Sequence, residues 1–165
     1  MSYRVYRDLQ PNEFIVAGYD MAMGGNDYSA VVFLSKTNQD VPLVYHSRET
    51  ATITTNNILP VLSKIHQITR VKPVIAPETN AGGVYEIERM KNSSNAIDFT
   101  LYTPKSGVGT MDVETSNKYG WTTNTATRPK MLEELKNAID NRLIRIYDKQ
   151  LVTEMFSFVI NKTNS

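Results

Sequence analysis

The stretch that decides the fold runs from Phe14 to Leu34, FIVAGYDMAMGGNDYSAVVFL. Two segments rich in Val, Ile, Phe and Tyr flank a turn with two adjacent glycines, a pattern typical of a β-hairpin. The first segment ends on an acid, Asp20, and a second acid, Asp27, follows the glycines. A strand of a protein core is expected to end on an apolar residue, so the position of Asp20 requires a chemical explanation.

The chain has 165 residues, 41% of them hydrophobic and 21% charged, and a net charge of +1. This is enough for one compact domain and too little for two ordinary ones, so we predict a single domain over residues 1–165. No apolar run approaches the roughly 20 residues that cross a bilayer, and the N-terminus lacks the apolar centre of a signal peptide. We therefore expect a soluble, intracellular protein with no membrane partner. The net charge neither favours nor excludes nucleic acid.

The sequence contains no cysteine and two histidines. Disulfides, thiolate catalysis and Cys-ligated zinc are therefore excluded, and oxygen ligands are the main choice for a metal. Neither His46 nor His66 falls in a motif with the spacing of metal ligands. A hard divalent cation is the expected ion.

The segments after the hairpin predict a mixed α/β sheet. They are a strand at Pro42–Ser47, a helix at Thr54–Arg70, a strand in KPVIAPE that ends on Glu78, a helix at Val84–Met90, a strand in DFTLYTPK and a helix at Arg128–Asn141. This order indicates an antiparallel meander followed by parallel strands and flanked by helices. The first helix places residues such as Ile58, Ile65 and Ile68 on one buried face, and Pro60 is expected only in its first turn.

Asp20 and Glu78 share a setting, because each ends an apolar strand and is followed by a turn that contains glycine. Ligands in an open α/β sheet collect at strand ends, where acids on neighbouring strands would lie a few ångströms apart. Such a pair repels itself unless a cation neutralises both carboxylates, which favours a Mg²⁺ or Mn²⁺ site. Two such ions support phosphodiester hydrolysis. The alternative is that Asp20 and Asp27 are turn residues whose side chains bond to their own backbone.

Three blocks of sequence, standing in this order, resemble the nuclease domain of the large terminase subunit of tailed bacteriophages. They are GYDMAMGGNDYSAVVFL, VIAPETNAGG and KYGWTTNTATRPKMLEELKNAIDNRLIRIYDKQLVTEMFSF. The resemblance implies an RNase H-like fold, related to the resolvase and integrase nucleases. It also implies a two-metal endonuclease that cuts concatemeric viral DNA during packaging, with Asp20 and Glu78 as metal ligands and Asp27 as an auxiliary acid.

The sequence departs from this family in two respects. The family normally continues to a paired aspartate on a final helix, which supplies the third metal ligand, and no such pair follows here. The later acids Asp140, Asp148 and Glu154 are expected to be solvated helix or turn residues. The family's ATPase motor has no counterpart, because no GxxxxGK[ST] phosphate loop occurs. We therefore expect a nuclease domain truncated before the final helix, with weakened metal binding and activity.

Four basic residues are candidates for contact with the DNA backbone. Arg128 and Lys130 fall at the start of a predicted helix, where free backbone N–H groups and the helix dipole favour a phosphate. Lys105 and Lys118 flank a long polar loop. The alternative for the first two residues is an ordinary solvated pair, balanced by acids one turn later. Trp121, just after this loop, is expected in the core rather than stacked on a sugar.

The expected partner is double-stranded DNA, and the resemblance adds the portal protein and the small terminase subunit. The chain is expected to be a monomer in isolation, from a phage or prophage, in the host cytoplasm. Cleavage independent of base sequence is expected, since no segment resembles a base-reading helix. A second interpretation is a non-catalytic RNase H-like module that binds DNA or the portal. A Holliday-junction resolvase is a third, which the terminase-like YGWTT block disfavours.

Overall fold

The computed structural model describes residues 3–22, 25–80, 82–104, 119–121 and 127–154, with the backbone alone for 127–131. In chain order its elements are β1 (Tyr3–Val5), β2 (Ile15–Asp20), β3 (Ser29–Ser35), β4 (Asp40–Ser47), α1 (Ala51–Thr69), β5 (Val74–Pro77), α2 (Gly83–Lys91), a 3₁₀ turn (Ser94–Asp98), β6 (Thr100–Leu101), α3 (Thr127–Asp140) and β7 (Arg145–Ile146). Residues 149–154 are also helical. Within these ranges no helix is long and apolar enough to cross a membrane.

The strands form one mixed sheet in the order β1-β4-β3-β2-β5-β6, with β7 paired to β4. β2, β3 and β4 make an antiparallel meander, and β5 and β6 continue the sheet beyond β2 as parallel strands. Parallel neighbours need a crossover, which α2 and the 3₁₀ turn supply between β5 and β6. The predicted mixed α/β sheet is confirmed. β1 was not predicted, because three residues are too few to show an alternating pattern.

The hydrophobic core lies between one face of the sheet and α1. Alternation along β2 and β3 buries every second side chain, among them Tyr19 of β2 and Phe33 of β3. These pack in one cluster with Ile58 and Leu62 of α1, both fully buried. Because Asp20 follows Tyr19 directly in the same strand, its side chain projects from the face opposite the core.

Helix α1 begins at Ala51, earlier than predicted, because the Thr50 side chain accepts a hydrogen bond from a first-turn N–H and caps the helix. Pro60 lies inside the helix rather than in its first turn, so that prediction was wrong. A proline there costs about 3 kcal/mol, which packing of the buried face offsets. Ile68, predicted in the core, is 41% exposed. Ten residues after Ile58 the helix has rotated by about 80° from the buried face.

An ionic cluster fixes the N-terminal segment at the end of the sheet where β3 turns into β4. Arg7 donates from Nε to Asp40 Oδ2 at 2.7 Å and from Nη1 to Glu13 Oε2 at 3.2 Å. Both acids are buried, and they also accept from Ser35 Oγ at 2.7 Å and the Tyr147 hydroxyl at 2.9 Å. Burial acts to raise the pKa of Glu13, but its hydrogen bonds outweigh burial and lower it. The Arg7 bond is the main cause of the lowered pKa of Asp40. We call Arg7, Glu13 and Asp40 the Arg7 cluster.

Asp148 is buried, contrary to the prediction that the later acids are solvated. Its carboxylate accepts hydrogen bonds from Arg4 Nε at 2.6 Å and from the Tyr6 hydroxyl, and it caps the helical residues 149–154 through the Leu151 N–H at 2.9 Å. Burial acts to raise the pKa of Asp148, but these hydrogen bonds outweigh burial and lower it to about 2. Sequence inspection missed this ion pair because Arg4 lies 144 positions away along the chain.

Candidate metal centre

The register of two parallel strands brings Asp20 and Glu78 together. β2 and β5 pair with Tyr19 opposite Pro77, so the next residue of each chain segment, an acid in both, falls at the same level. The Glu78 N–H donates to the Tyr19 C=O at 2.8 Å, which extends the register to the acids. Residues at one level of adjacent strands project from the same face, which here is the face opposite the core.

The Asp20 carboxyl lies within hydrogen-bonding reach of the Glu78 carboxylate. Burial first, then the hydrogen bond with Glu78 and its negative charge, raise the pKa of Asp20 to about 6. Two carboxylates this close share a proton at low pH and repel each other once both are ionised. The pair is therefore destabilising near neutral pH unless positive charge is supplied.

The described part of the chain supplies no such charge. Among its residues, no Lys, Arg or His nitrogen lies within 4.0 Å of either carboxylate of the pair. The Asn80 side-chain amide donates to Glu78 Oε1 at 3.1 Å, which is a neutral contact. No group of three or more His, Asp or Glu side chains suited to a metal occurs in these ranges. The described residues thus provide a pair of carboxylates open to an added cation.

Glycines after β5 hold the backbone of Glu78 in place. A Cβ on Gly83, the first residue of α2, would lie 2.0 Å from the Glu78 carbonyl oxygen, so only glycine fits. Gly82, which caps this helix, has a left-handed φ of 84°. The sequence indicated a glycine turn here, but not that α2 would pack directly on the acid's backbone.

The segment 119–121 lies against the end of β5. The Trp121 N–H donates to the Pro77 C=O at 2.8 Å, and the Trp121 C=O accepts from the Thr79 N–H at 2.8 Å. The Trp121 side chain is half-buried, with its ring centroid 6.2 Å from that of Tyr102. The expectation that Trp121 packs into the domain is met in part, because the ring is not fully enclosed.

The later acids lie apart from the pair. Asp140 is exposed and accepts from Lys136 Nζ at 2.7 Å, and Glu154 is exposed, as predicted. Asp148 bonds to the β1 edge of the sheet, three strand positions from β2 and about 14 Å away at about 4.8 Å per strand. Within the described ranges none of the three joins Asp20 to form a larger acidic group.

Of the remaining predicted site residues, only Asp27 has a side chain that the structure describes. Asp27 is exposed in the turn before β3 and is not among the causes of the raised pKa of Asp20. Arg128 and Lys130 belong to the first turn of α3, where the backbone alone is described. Lys105 and Lys118 lie outside the described residues. Roles for these four basic residues in DNA binding, and for Asp27, stay predictions.

Three solved structures of phage terminase nucleases are similar to this one in fold. The structure is similar to the large terminase nuclease of the thermophilic phage G20c with bound zinc, with a TM-score of 0.65 and 14% identity over 94% of this chain and 76% of that chain. For the magnesium-bound form the TM-score is 0.64 and the identity 13%, over 94% of this chain and 69% of that chain. For the large terminase nuclease domain of Thermus phage P74-26 the TM-score is 0.61 and the identity 14%, over 94% of this chain and 67% of that chain.

The chain has the fold of the large terminase nucleases. The resemblance seen in the three sequence blocks is thereby confirmed at the level of the fold, including its RNase H-like mixed sheet. No family model and no curated protein matches the sequence. The G20c terminase nuclease has been solved with zinc, magnesium and cobalt, so a protein with this terminase fold binds divalent ions.

Proposed function

We propose that this chain is a metal-dependent endonuclease domain that hydrolyses phosphodiester bonds in double-stranded DNA. The observation that carries the proposal is the carboxylate pair, Asp20 and Glu78, held side by side with no neutralising cation among the described residues. Oxygen donors and uncompensated negative charge fit a hard divalent ion such as Mg²⁺ or Mn²⁺. The terminase nuclease fold supports the same assignment.

In this proposal Asp20 and Glu78 are the metal ligands. Divalent ions of this kind stabilise the leaving oxygen and activate the attacking water in phosphodiester hydrolysis. The chain's own contribution is to position the two carboxylates. The strand register sets the level of Asp20, while Asn80 orients the Glu78 carboxylate and the close approach of Gly83 fixes its backbone.

Contacts with the DNA backbone are proposed for the residues that the sequence singled out. Helix α3 begins at Thr127, so free N–H groups of its first turn lie beside Arg128 and Lys130, which is a favourable setting for a phosphate. Lys105 and Lys118 are proposed as further backbone contacts. For Asp27 we propose the role of an auxiliary acid near the site.

The biological setting is proposed from the sequence blocks together with the fold. It is the cutting of concatemeric viral DNA during packaging, in the host cytoplasm, with the portal protein and the small terminase subunit as partners. The absence of a third acid near Asp20 within the described residues favours one alternative, a module that binds DNA or the portal without cutting.

Nicking of supercoiled plasmid in Mn²⁺ tests the proposal. Wild type is expected to convert plasmid to the open circle, and Asp20→Asn and Glu78→Gln are expected to lose this activity by at least a hundredfold. Asp8→Asn is the matched control, because it removes the same charge at an exposed position away from the pair. Persistent nicking by both site variants would rule out the assigned ligands. DNA binding without nicking, equal with and without metal, would instead support the binding module.

A further inference from the structure

A second group of side chains lies at the same end and on the same face of the sheet as the carboxylate pair. Asp20 is paired with Ala30 across β2 and β3, and Ala30 is paired with His46 across β3 and β4. Paired residues project from one face, so the three stand in a single row. Two strand spacings of about 4.8 Å place His46 about 10 Å from Asp20, and the small residue Ala30 stands between them in this row.

The Tyr28 ring holds two other side chains at this end of the sheet. It stacks on His46, with centroids 4.1 Å apart and an interplanar angle of 5°. The guanidinium carbon of Arg48 lies over the same ring, 4.6 Å from its centroid. Tyr28 is 41% exposed and Arg48 is exposed. We call these three residues the Tyr28 platform.

Arg48 is available for a ligand. Within the described ranges it forms no ion pair and no side-chain hydrogen bond, unlike Arg4 and Arg7, whose guanidinium groups bind buried acids. A guanidinium stacked on a ring keeps its in-plane N–H donors accessible, and they match the geometry of phosphate oxygens. Stacking also restricts the side chain before binding, which reduces the entropy lost when a ligand is bound.

The chemistry of the platform fits nucleic acid. An exposed arginine held against an aromatic ring suits a surface that binds nucleic acid, since its N–H donors contact phosphate oxygens. Burial lowers the pKa of His46, so its ring is neutral near pH 7 and Arg48 supplies the positive charge. The carboxylate pair and the platform therefore present an acidic and a basic element at the same end and on the same face of the sheet, with the backbones of Asp20 and His46 about 10 Å apart.

We propose that Arg48, held on the Tyr28 platform, binds a backbone phosphate of the DNA whose scissile bond lies at Asp20 and Glu78. A separation of about 10 Å between the backbones of Asp20 and His46 is several times the length of a hydrogen bond, so the phosphate held at the platform is close to the cleavage site without being the one attacked. This inference rests on the proposed nuclease function, and it adds a binding surface that positions the DNA strand.

The test is the affinity for a fluorescently labelled DNA duplex, measured by anisotropy in EDTA at several salt concentrations so that no cleavage occurs. Arg48→Ala is expected to weaken binding about tenfold and to reduce the slope of log affinity against log salt by about one. Tyr28→Leu removes the ring but no charge, so a severalfold loss with an unchanged slope is expected. Lys36→Ala is the matched control, because it removes one exposed charge at the far end of β3 and is expected to stay within twofold of wild type.

The outcomes separate this inference from the proposed function. The proposed phosphate-binding role of the Tyr28 platform would be overturned if Arg48→Ala bound DNA within twofold of wild type, or if Lys36→Ala lost as much affinity. This holds even if wild type nicks plasmid. Arg48-dependent binding by a wild type that never nicks plasmid would support the platform and overturn the nuclease. Thermal melting of each variant establishes that it is folded, which is expected because all three substituted side chains are exposed.

Discussion

A pair of acids lies at each end of the central sheet, and pKa values are lowered in one pair and raised at Asp20 of the other. In the Arg7 cluster, Glu13 and Asp40 have side chains 1% and 2% exposed, share one guanidinium, and have lowered pKa values. At the other end of β2, about 17 Å away at about 3.4 Å per residue, Asp20 and Glu78 face each other, and the pKa of Asp20 rises to about 6. No nitrogen cation of the described residues contacts that second pair.

The difference teaches that acids at a strand end do not by themselves indicate a functional site. What separates the two pairs is the source of positive charge. In the Arg7 cluster the guanidinium forms ion pairs with both acids, so their negative charge is neutralised and the N-terminal segment is bound to the sheet. Where the described residues provide none, the negative charge is left for a cation from solution, and this difference supports our proposal that Asp20 and Glu78 hold the metal.

Removing the guanidinium should produce the largest effect. Arg7→Ala would leave two buried carboxylates without their cation, and we expect a loss of about 3–5 kcal/mol in the free energy of unfolding at pH 7. Urea denaturation measures this loss, with exposed Arg48→Ala as control and an expected change within about 0.5 kcal/mol. A loss below about 1 kcal/mol for Arg7→Ala would show that the cluster does not depend on its shared cation.

Adding a divalent cation that binds Asp20 and Glu78 should have the next largest effect on the free energy of unfolding. Mn²⁺ at 100 times its dissociation constant is expected to stabilise wild type by about 2.7 kcal/mol, because the ion binds the folded site and not the unfolded chain. Glu78→Gln should abolish the gain, and Asp8→Asn should keep it. Calorimetric titration gives the affinity and urea denaturation the stabilisation. Equal stabilisation of Glu78→Gln would mean that Mn²⁺ binds elsewhere.

The smallest effect should appear in the stability of the metal-free protein as pH changes. The pKa of Asp20 is about 6 in the folded state and 3.8 ordinarily. Between these values the folded state binds the extra proton, so this residue's contribution to stability is present at low pH and is lost as pH rises through about 6. Asp20→Asn has no such loss. We expect its free energy of unfolding to exceed that of wild type by roughly 1 kcal/mol at pH 8, after allowance for solvent screening at a carboxyl that is only partly desolvated.

Urea denaturation in EDTA at pH 5 and pH 8 checks this expectation, with Asp8→Asn as the variant of equal charge change. The increase in the free energy of unfolding that Asp20→Asn produces should be larger at pH 8 than at pH 5. A gain that is the same at both values, or a loss at pH 8, would show that the Asp20 and Glu78 carboxylates do not repel each other in the folded protein.

Features that depend on neighbouring residues were predictable from the sequence. The strand predicted to end on Asp20 is β2, and the helix predicted at Arg128–Asn141 is α3, which begins and ends one residue earlier. Features that depend on distant residues were not. Asp148 was expected to be solvated and is buried against Arg4, and Pro60 lies inside a helix that tertiary packing maintains. Local patterns contain no information about a partner far away along the chain.

The sequence by itself determined the mixed sheet and the two apolar strands that end on Asp20 and Glu78, because alternation, glycine turns and helical spacing are local properties of the chain. The tertiary structure decided which acids are neutralised. The pairing of β2 with β5 placed Asp20 beside Glu78, whereas packing of the N-terminal segment brought Arg7 to Asp40. Charge compensation is a through-space interaction over a few ångströms, so only the folded chain establishes which acids remain open to a metal.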